Sequence, residues 1–248
     1  MHHNMSPNMS PSAHHFDPDA LPLLGRELDL LADWVPLADQ RLIELGCGAA
    51  QFAQHLLARF PGSTVTGLEV DQVQMDKNRA APEVAGLSFV EAGAQAIPFG
   101  EAQFDGAFML KSLHHIPMGL MDQALAEVGR VLKPGGWLYV SEPIYGGALN
   151  DIIRLFNDEG VVRPAAQAAL DRAIARGGWV QTREHRFAQT AQFASFEDFA
   201  ARMMNASYRN DQINSELLAR VAQAYAPHQT AQGAQFMRPM HVRLLRRA

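Results

Sequence analysis

Two acids on either side of a glycine turn are the first residues whose types and spacing point to chemistry. Glu44 precedes Gly46-Cys47-Gly48, and Glu69 lies about twenty residues past that turn. Glycine lets a ligand approach the backbone closely, and a helix beginning just after it offers unpaired N–H groups. An acid at that offset can accept both ribose hydroxyls of a nucleoside. The turn lacks the third glycine of the dinucleotide fingerprint, with Phe52 and Ala53 where it would stand, and no Gly-Lys-Ser/Thr follows as in a phosphate loop. Glu44 itself is unwelcome beside a pyrophosphate and suits a cationic ligand.

Further along, Lys111 stands where an apolar run opens, followed by the adjacent His114 and His115. Adjacent histidines cannot share a helix face as zinc ligands at i, i+4 would, and no acidic cluster has metal-ligand spacing, so no metal is expected. One histidine is expected to pack structurally and the other to face a cleft. A base is needed only where a nucleophile carries a proton at neutral pH.

The elements that must position these residues read as alternating strands and helices. Leu42, Ile43 and Leu45 make a buried first strand, and Phe52, Leu56, Leu57 and Phe60 recur at helical spacing. Ser63–Glu69 is a second strand, after which Asp71 caps a helix over Gln72–Ala81. Leu87–Glu91 and Phe104–Leu110 are strands three and four. Met118–Leu132 is an amphipathic helix, Pro134-Gly135-Gly136 turns, and Trp137–Val140 is strand five. An N-terminal helix is predicted from about Pro18 to Trp34. Behind strand five, helices are predicted over Ala148–Phe156, over Pro164–Arg176 with proline in the first turn, from Ser195 to about Asn205, and over Asn214–Tyr225. Trp179–Gln192 is mixed, with room for a strand, and Phe236–Leu245 closes the sheet.

The 248 residues, 48% hydrophobic and 19% charged, suffice for one large domain with a cap. The net charge of −5 divides unevenly: residues 1–145 carry −9, and the arginine-only remainder +4. An acidic front half argues against nucleic acid as the main partner. The rear half is either a solvated helical surface or a face toward an anionic substrate. The single cysteine, Cys47, excludes an internal disulfide, and no apolar run approaches a membrane span. A cytoplasmic protein with no membrane partner is the expectation. Residues 1–15, with two His-His pairs, read as a disordered tail.

The strings themselves carry a resemblance. Glu44-Leu-Gly-Cys-Gly-Ala49, Val65-Thr-Gly-Leu-Glu-Val-Asp71, Leu113-His-His-Ile116 and Arg130-Val-Leu-Lys-Pro-Gly-Gly-Trp-Leu-Tyr-Val-Ser-Glu-Pro143 resemble, in order, motifs of class I S-adenosylmethionine (SAM) dependent methyltransferases. The matches cover about 40% of the chain and are most similar to the small-molecule branch that includes the ubiquinone and menaquinone methyltransferases. The resemblance implies a Rossmann-like α/β fold: a mostly parallel seven-stranded sheet, helices on both faces and a helical cap. It divides the chain into a core over 16–145, a cap and substrate pocket over 146–230 and a closing strand over 231–248. It implies SAM, bound by Glu44, Gly46, Cys47, Gly48, Glu69 and Val70, with Arg26 near the methionine carboxylate and Lys111 in the cleft at the ligand. The family's adenine-binding aspartate position is Gly93 here, so Ala94 and Gln95 are expected to substitute.

The implied reaction is methyl transfer to a small molecule, with Lys111, His114, Tyr145, Asn150 and Asn205 as candidate catalytic residues. Arg154, Trp179, Tyr208, Arg209, Arg238 and His241 are expected around the acceptor pocket. The absent aspartate and the neutral Asn150 and Asn205 keep open an intramolecular cyclisation of SAM, to an azetidine with release of methylthioadenosine. A non-catalytic SAM-binding module is a further alternative. A homodimer and the identity of the acceptor stay open.

Overall fold

The computed structural model describes residues 20–204 and 213–248. A short helix α1 (Glu27–Trp34) leads into β1 (Arg41–Leu45), α2 (Gln51–Arg59), β2 (Thr64–Glu69), α3 (Gln72–Ala80), β3 (Leu87–Glu91) and β4 (Phe104–Leu110). Then follow α4 (Met121–Val131), β5 (Leu132–Pro143), α5 (Ala148–Ile153), α6 (Val162–Ala175), β6 (Trp179–Phe193), α7 (Phe196–Met203), α8 (Ser215–Tyr225) and β7 (Ala234–Arg247).

The strands form one seven-stranded sheet in the order β3-β2-β1-β4-β5-β7-β6. β1 to β5 pair in parallel, while β7 runs antiparallel to both β5 and β6. The chain winds outward from β1 to β3 and then returns to place β4 on the other side of β1. This reversal opens a crevice at the carboxyl ends of β1 and β4, where ligands bind in open α/β sheets. It is the Rossmann-like class I methyltransferase fold expected from the sequence.

The central strands are buried on both faces, so they read as continuous apolar runs. On one face Ile43, Leu45, Met109 and Val140 meet Leu125 and Val128 of α4 and Leu170 of α6. On the other, Leu42, Phe108 and Tyr139 meet Leu31 of α1 and Leu56 of α2. A third cluster joins the helices behind β5 to the start of β7, with Phe193, Phe199, Tyr225 and Phe236 in aromatic contact.

Two expectations are corrected, on the start of the first helix and on Trp179. The N-terminal helix begins only at Glu27, because the residues before it are extended against the edge of β6: Leu24 N–H donates to Ala188 O, and Ala188 N–H to Pro22 O. The strand for which the sequence leaves room at Trp179–Gln192 is β6, fifteen residues long. Its pairing is with β7, some sixty residues on in places, a partner that local periodicity cannot identify. Trp179 lies in the core rather than in a pocket, packed near Gly129 of α4. The tail over 1–15, and Asn205, Tyr208 and Arg209, lie outside the described residues.

Candidate active site

The glycine turn is built by contacts from three directions. Gly46 has φ +69°, and a Cβ there would stand 2.7 Å from the Cβ of Ser112, whose hydroxyl donates to Leu45 O at 2.6 Å. The Gly46 and Cys47 N–H groups both point to Leu68 O at 2.9 Å, which ties the turn to β2. Gly48 has φ +52°, and a Cβ placed on it would meet nothing within 4 Å. Its carbonyl accepts from Asn78 Nδ2 at 2.7 Å, so α3 also holds the turn.

Glu69 is the hub of this arrangement. Oε2 accepts from Gly48 N–H at 2.8 Å; Oε1 accepts from Val70 N–H at 2.8 Å and Asp71 N–H at 2.9 Å. A carboxylate has about four lone-pair sites, so capacity remains at Oε2 for a hydroxyl. Asp71 caps α3, as the sequence predicts, accepting from Val73 and Gln74 N–H. Val70, 66% exposed, presents an apolar side chain at the rim of the crevice.

Glu44 closes the floor at the end of β1. It is 3% exposed, and Oε2 has no hydrogen-bond partner among the described residues. Burial pushes its carboxyl up to about 8; Lys111 opposes the shift and Glu69 adds to it. Lys111 stands across the crevice at the end of β4, with φ +59°, its N–H donating to Ser141 O at 2.7 Å. A non-glycine residue in the left-handed region is held there by its surroundings, a condition frequent at functional sites. Cys47 is buried with its thiol raised, chiefly by burial, so it contributes backbone and packing rather than a nucleophile. Arg26 is exposed at the start of α1.

Beyond β3, Gln95 folds its carboxamide over Gly93. A Cβ at Gly93 would run into that amide, so the Gln95 side chain occupies the space next to the missing aspartate. Ala94 lies buried beside it.

The residues after β4 and β5 form a second polar group. His114 is buried, with Nδ1–H donating to Glu142 Oε2, while Glu142 Oε1 accepts from Leu113 N–H at 2.9 Å. His114 Nε2 lies 3.7 Å from Glu159 Oε1. Burial acts to lower the His114 pKa, but Glu142 and Glu159 outweigh it and raise it to about 9. Glu159, which also takes Arg163 Nη2 at 2.5 Å, is correspondingly held down at about 2 despite its burial. His114, His115 and Glu159 bring one donor atom each within 4.8 Å of one another. With His114 protonated between two carboxylates, the group is an ion-pair cluster, and His114 is not a base at neutral pH.

Next to this cluster, at the carboxyl end of β5, is a cavity of about 350 Å³. Its walls include Tyr145, Arg163, Pro164, Arg186 and His241. Burial and the charge of Arg186 lower the His241 pKa; Glu184, hydrogen-bonded at 2.8 Å, only partly opposes them. His241 is therefore a neutral histidine facing the cavity. Tyr145 donates its hydroxyl to Asp158 at 2.8 Å, and Asn150 and Arg238 line an adjoining recess. Arg154 is largely exposed and ion-paired with Asp151.

Sequence reasoning missed Asn78, Ser112, Glu142, Glu159 and Arg163. Only the Glu159–Arg163 spacing of four, one helical turn, left a signal; the others act across strands through contacts far apart in the chain.

Residues 43–140 match the family model described as a methyltransferase domain. The chain is 36% identical over 103 residues to the fatty-acid O-methyltransferase of Mycolicibacterium smegmatis, covering 42% of this chain and 37% of that protein. It is 35% identical over 125 residues to 24-methylenesterol C-methyltransferase 2 of Oryza sativa subsp. japonica, covering 49% and 32%. The chain thus spans about a third of the length of these curated relatives. The YcgJ protein of Bacillus subtilis superposes with a TM-score of 0.62 at 15% identity, covering 89% of this chain and 97% of that one. That likeness establishes the fold. Among the described residues, no helix is long and apolar enough to cross a membrane.

Proposed function

We propose that the protein transfers the methyl group of SAM to a small-molecule acceptor, a reading supported by the match of residues 43–140 to the methyltransferase-domain model. The observation that carries this reading is the pairing of Glu69 with Glu44 across the switch-point crevice. Glu69 is fixed by three backbone N–H groups with capacity left for ribose, and Glu44 is a buried carboxyl with an unpartnered oxygen. SAM fits these donors and acceptors: it brings ribose hydroxyls, an ammonium and a sulfonium, and no phosphate. When bound, it supplies an already activated methyl group with a neutral thioether as leaving group.

The remaining work falls to the chain's own residues. Glu44 faces the cationic end, Lys111 the carboxylate of the methionine moiety, and Arg26 adds positive charge at the entrance. Val70 and Gln95 border the adenine, Gln95 offering its amide where the family usually has an aspartate. Alignment of donor and acceptor is the main catalytic contribution. Where the acceptor is a hydroxyl, His241 is better suited than His114 to take its proton. His241 is neutral in the cavity wall, whereas His114 is already protonated. The curated relatives act on a fatty acid and a sterol, which supports a small, largely apolar acceptor. The buried single cysteine agrees with a reducing, cytoplasmic setting.

Mass spectrometry tests the reading. S-adenosylhomocysteine is expected from SAM only when a small-molecule extract is added, together with a product heavier by one methyl group. Methylthioadenosine formed from SAM alone, faster than spontaneous breakdown, would overturn it.

A further inference from the structure

The polar group behind the ends of β4 and β5 has the composition of a metal-ligand set. Leu113–His115, just after β4, is a single 3₁₀ turn. Adjacent histidines diverge around an α-helix, but on this tighter turn the rings of His114 and His115 stay side by side, 4.0 Å between centroids. Glu159, just before α6, faces them from another segment. One donor atom from each of the three lies within 4.8 Å of the other two.

Two of the three are supported from behind as metal ligands are. His114 gives its Nδ1–H to Glu142, and Glu142 Oε1 accepts from Leu113 N–H at 2.9 Å. A histidine that ligates a metal through one ring nitrogen commonly donates from the other to a carboxylate. Nε2 is then the atom that faces Glu159 Oε1, at 3.7 Å. That gap is too long for a hydrogen bond. It is close to the roughly 3.4 Å between two ligands of a tetrahedral ion that each lie about 2.1 Å from it. Glu159 is anchored on Oε2 by Arg163 Nε at 2.8 Å and on Oε1 by Asn157 Nδ2 at 2.9 Å. Oε1 keeps a second lone pair. Two carboxylates stand here against one guanidinium, so the site attracts a cation. In the metal-free protein a proton on His114 meets that charge, and a metal ion at Nε2 takes the proton's place.

We infer that His114, His115 and Glu159 bind a divalent transition-metal ion of the zinc class, with Glu142 orienting His114. Two imidazoles and one carboxylate suit zinc, whereas magnesium and calcium favour sites made of oxygen ligands. His115 lies at the surface, where rotation of its side chain closes the remaining distance and leaves a coordination position open to water. The ion ties the turn after β4 to the segment between α5 and α6, and so the core sheet to the chain behind β5. The inference stands apart from the methyl-transfer reading, because none of its ligands is assigned to SAM.

His2, His3, His14 and His15 are a second source of zinc affinity, so the test uses the full chain with these four changed to alanine. Calorimetric titration of this chain, stripped of metal, is expected to show one zinc ion bound per chain and no binding of magnesium. Adding His115→Ala is expected to weaken zinc binding roughly tenfold or more, while a cooperative thermal melt close to that of the four-alanine chain shows that the variant folds. X-ray absorption at the zinc edge of the loaded four-alanine chain decides the matter without that variant, and two imidazole ligands at about 2.0 Å are expected. No zinc binding once the four histidines are gone, an affinity unchanged by His115→Ala, or a first shell without imidazole overturns the inference. Magnesium bound as tightly as zinc overturns the choice of metal.

Discussion

If Glu44 faces the cationic end of SAM as proposed, cofactor binding depends on pH. Its carboxyl titrates at about 8 when buried without a partner, and a cation brought next to it favours the ionised form. SAM binding is therefore expected to release a proton below that pH. Affinity should rise between pH 6 and 8 by up to about tenfold per unit and level off above. Calorimetry in buffers of different ionisation enthalpy measures the proton directly, and Glu44→Gln should bind weakly with a flat profile. His114 works in the other direction, on stability. Its folded pKa of about 9 exceeds the usual 6.5, so its contribution is complete below pH 6.5 and is lost as pH rises through 9. Thermal melts of His114→Gln against the parent should show a gap on the order of 3 kcal/mol near pH 6 that narrows toward pH 9.5. A gap independent of pH would mean that His114 acts by packing alone.

The decisive element is the β1–α2 turn. Gly46 needs a positive φ and touches the residue after β4, so it couples the two strand ends that frame the crevice. Gly46→Ala is expected to cost about 1–2 kcal/mol of backbone strain and, by pushing Ser112 away, to weaken SAM binding more than tenfold. Equilibrium unfolding and SAM titration on the same preparation separate the two effects. Gly48, with open space beside it, is constrained only by its own backbone. Helices α5, α7 and α8 are a different kind of element, held to β6 and β7 through their own largely aromatic cluster rather than through the glycine turn.

Across the whole molecule, cofactor and fold are linked. A ligand that binds only the native state stabilises it by about 2.7 kcal/mol at a hundredfold excess over Kd. SAM should raise the melting temperature, and Glu69→Ala should abolish that rise, since Glu69 is the proposed ribose acceptor and also fixes the turn. A Glu69→Ala protein that still shows the full shift would remove Glu69 from the site. The N-terminal segment belongs to the same unit. Glu27 accepts from Tyr139 Oη at 3.1 Å and from Gln189 Nε2 at 2.7 Å, fastening α1 to β5 and to the edge strand β6.

The sequence by itself determined whatever depends on neighbours along the chain. The first five strands, the glycine turn, the Asp71 cap and the acid that ends β2 were legible because periodicity, φ preference and offset are local properties. So was the absence of an aspartate at Gly93. The tertiary structure alone decided the rest. It paired β6 with β7, buried Trp179, placed Gln95 over Gly93, and set Glu142 and Glu159 on His114, turning a candidate base into a fixed cation. It also set Asn150 and Arg238, nearly ninety residues apart in sequence, at one recess. Such features arise from contacts between distant segments, whose energies are fixed by burial and by the charges that burial brings together.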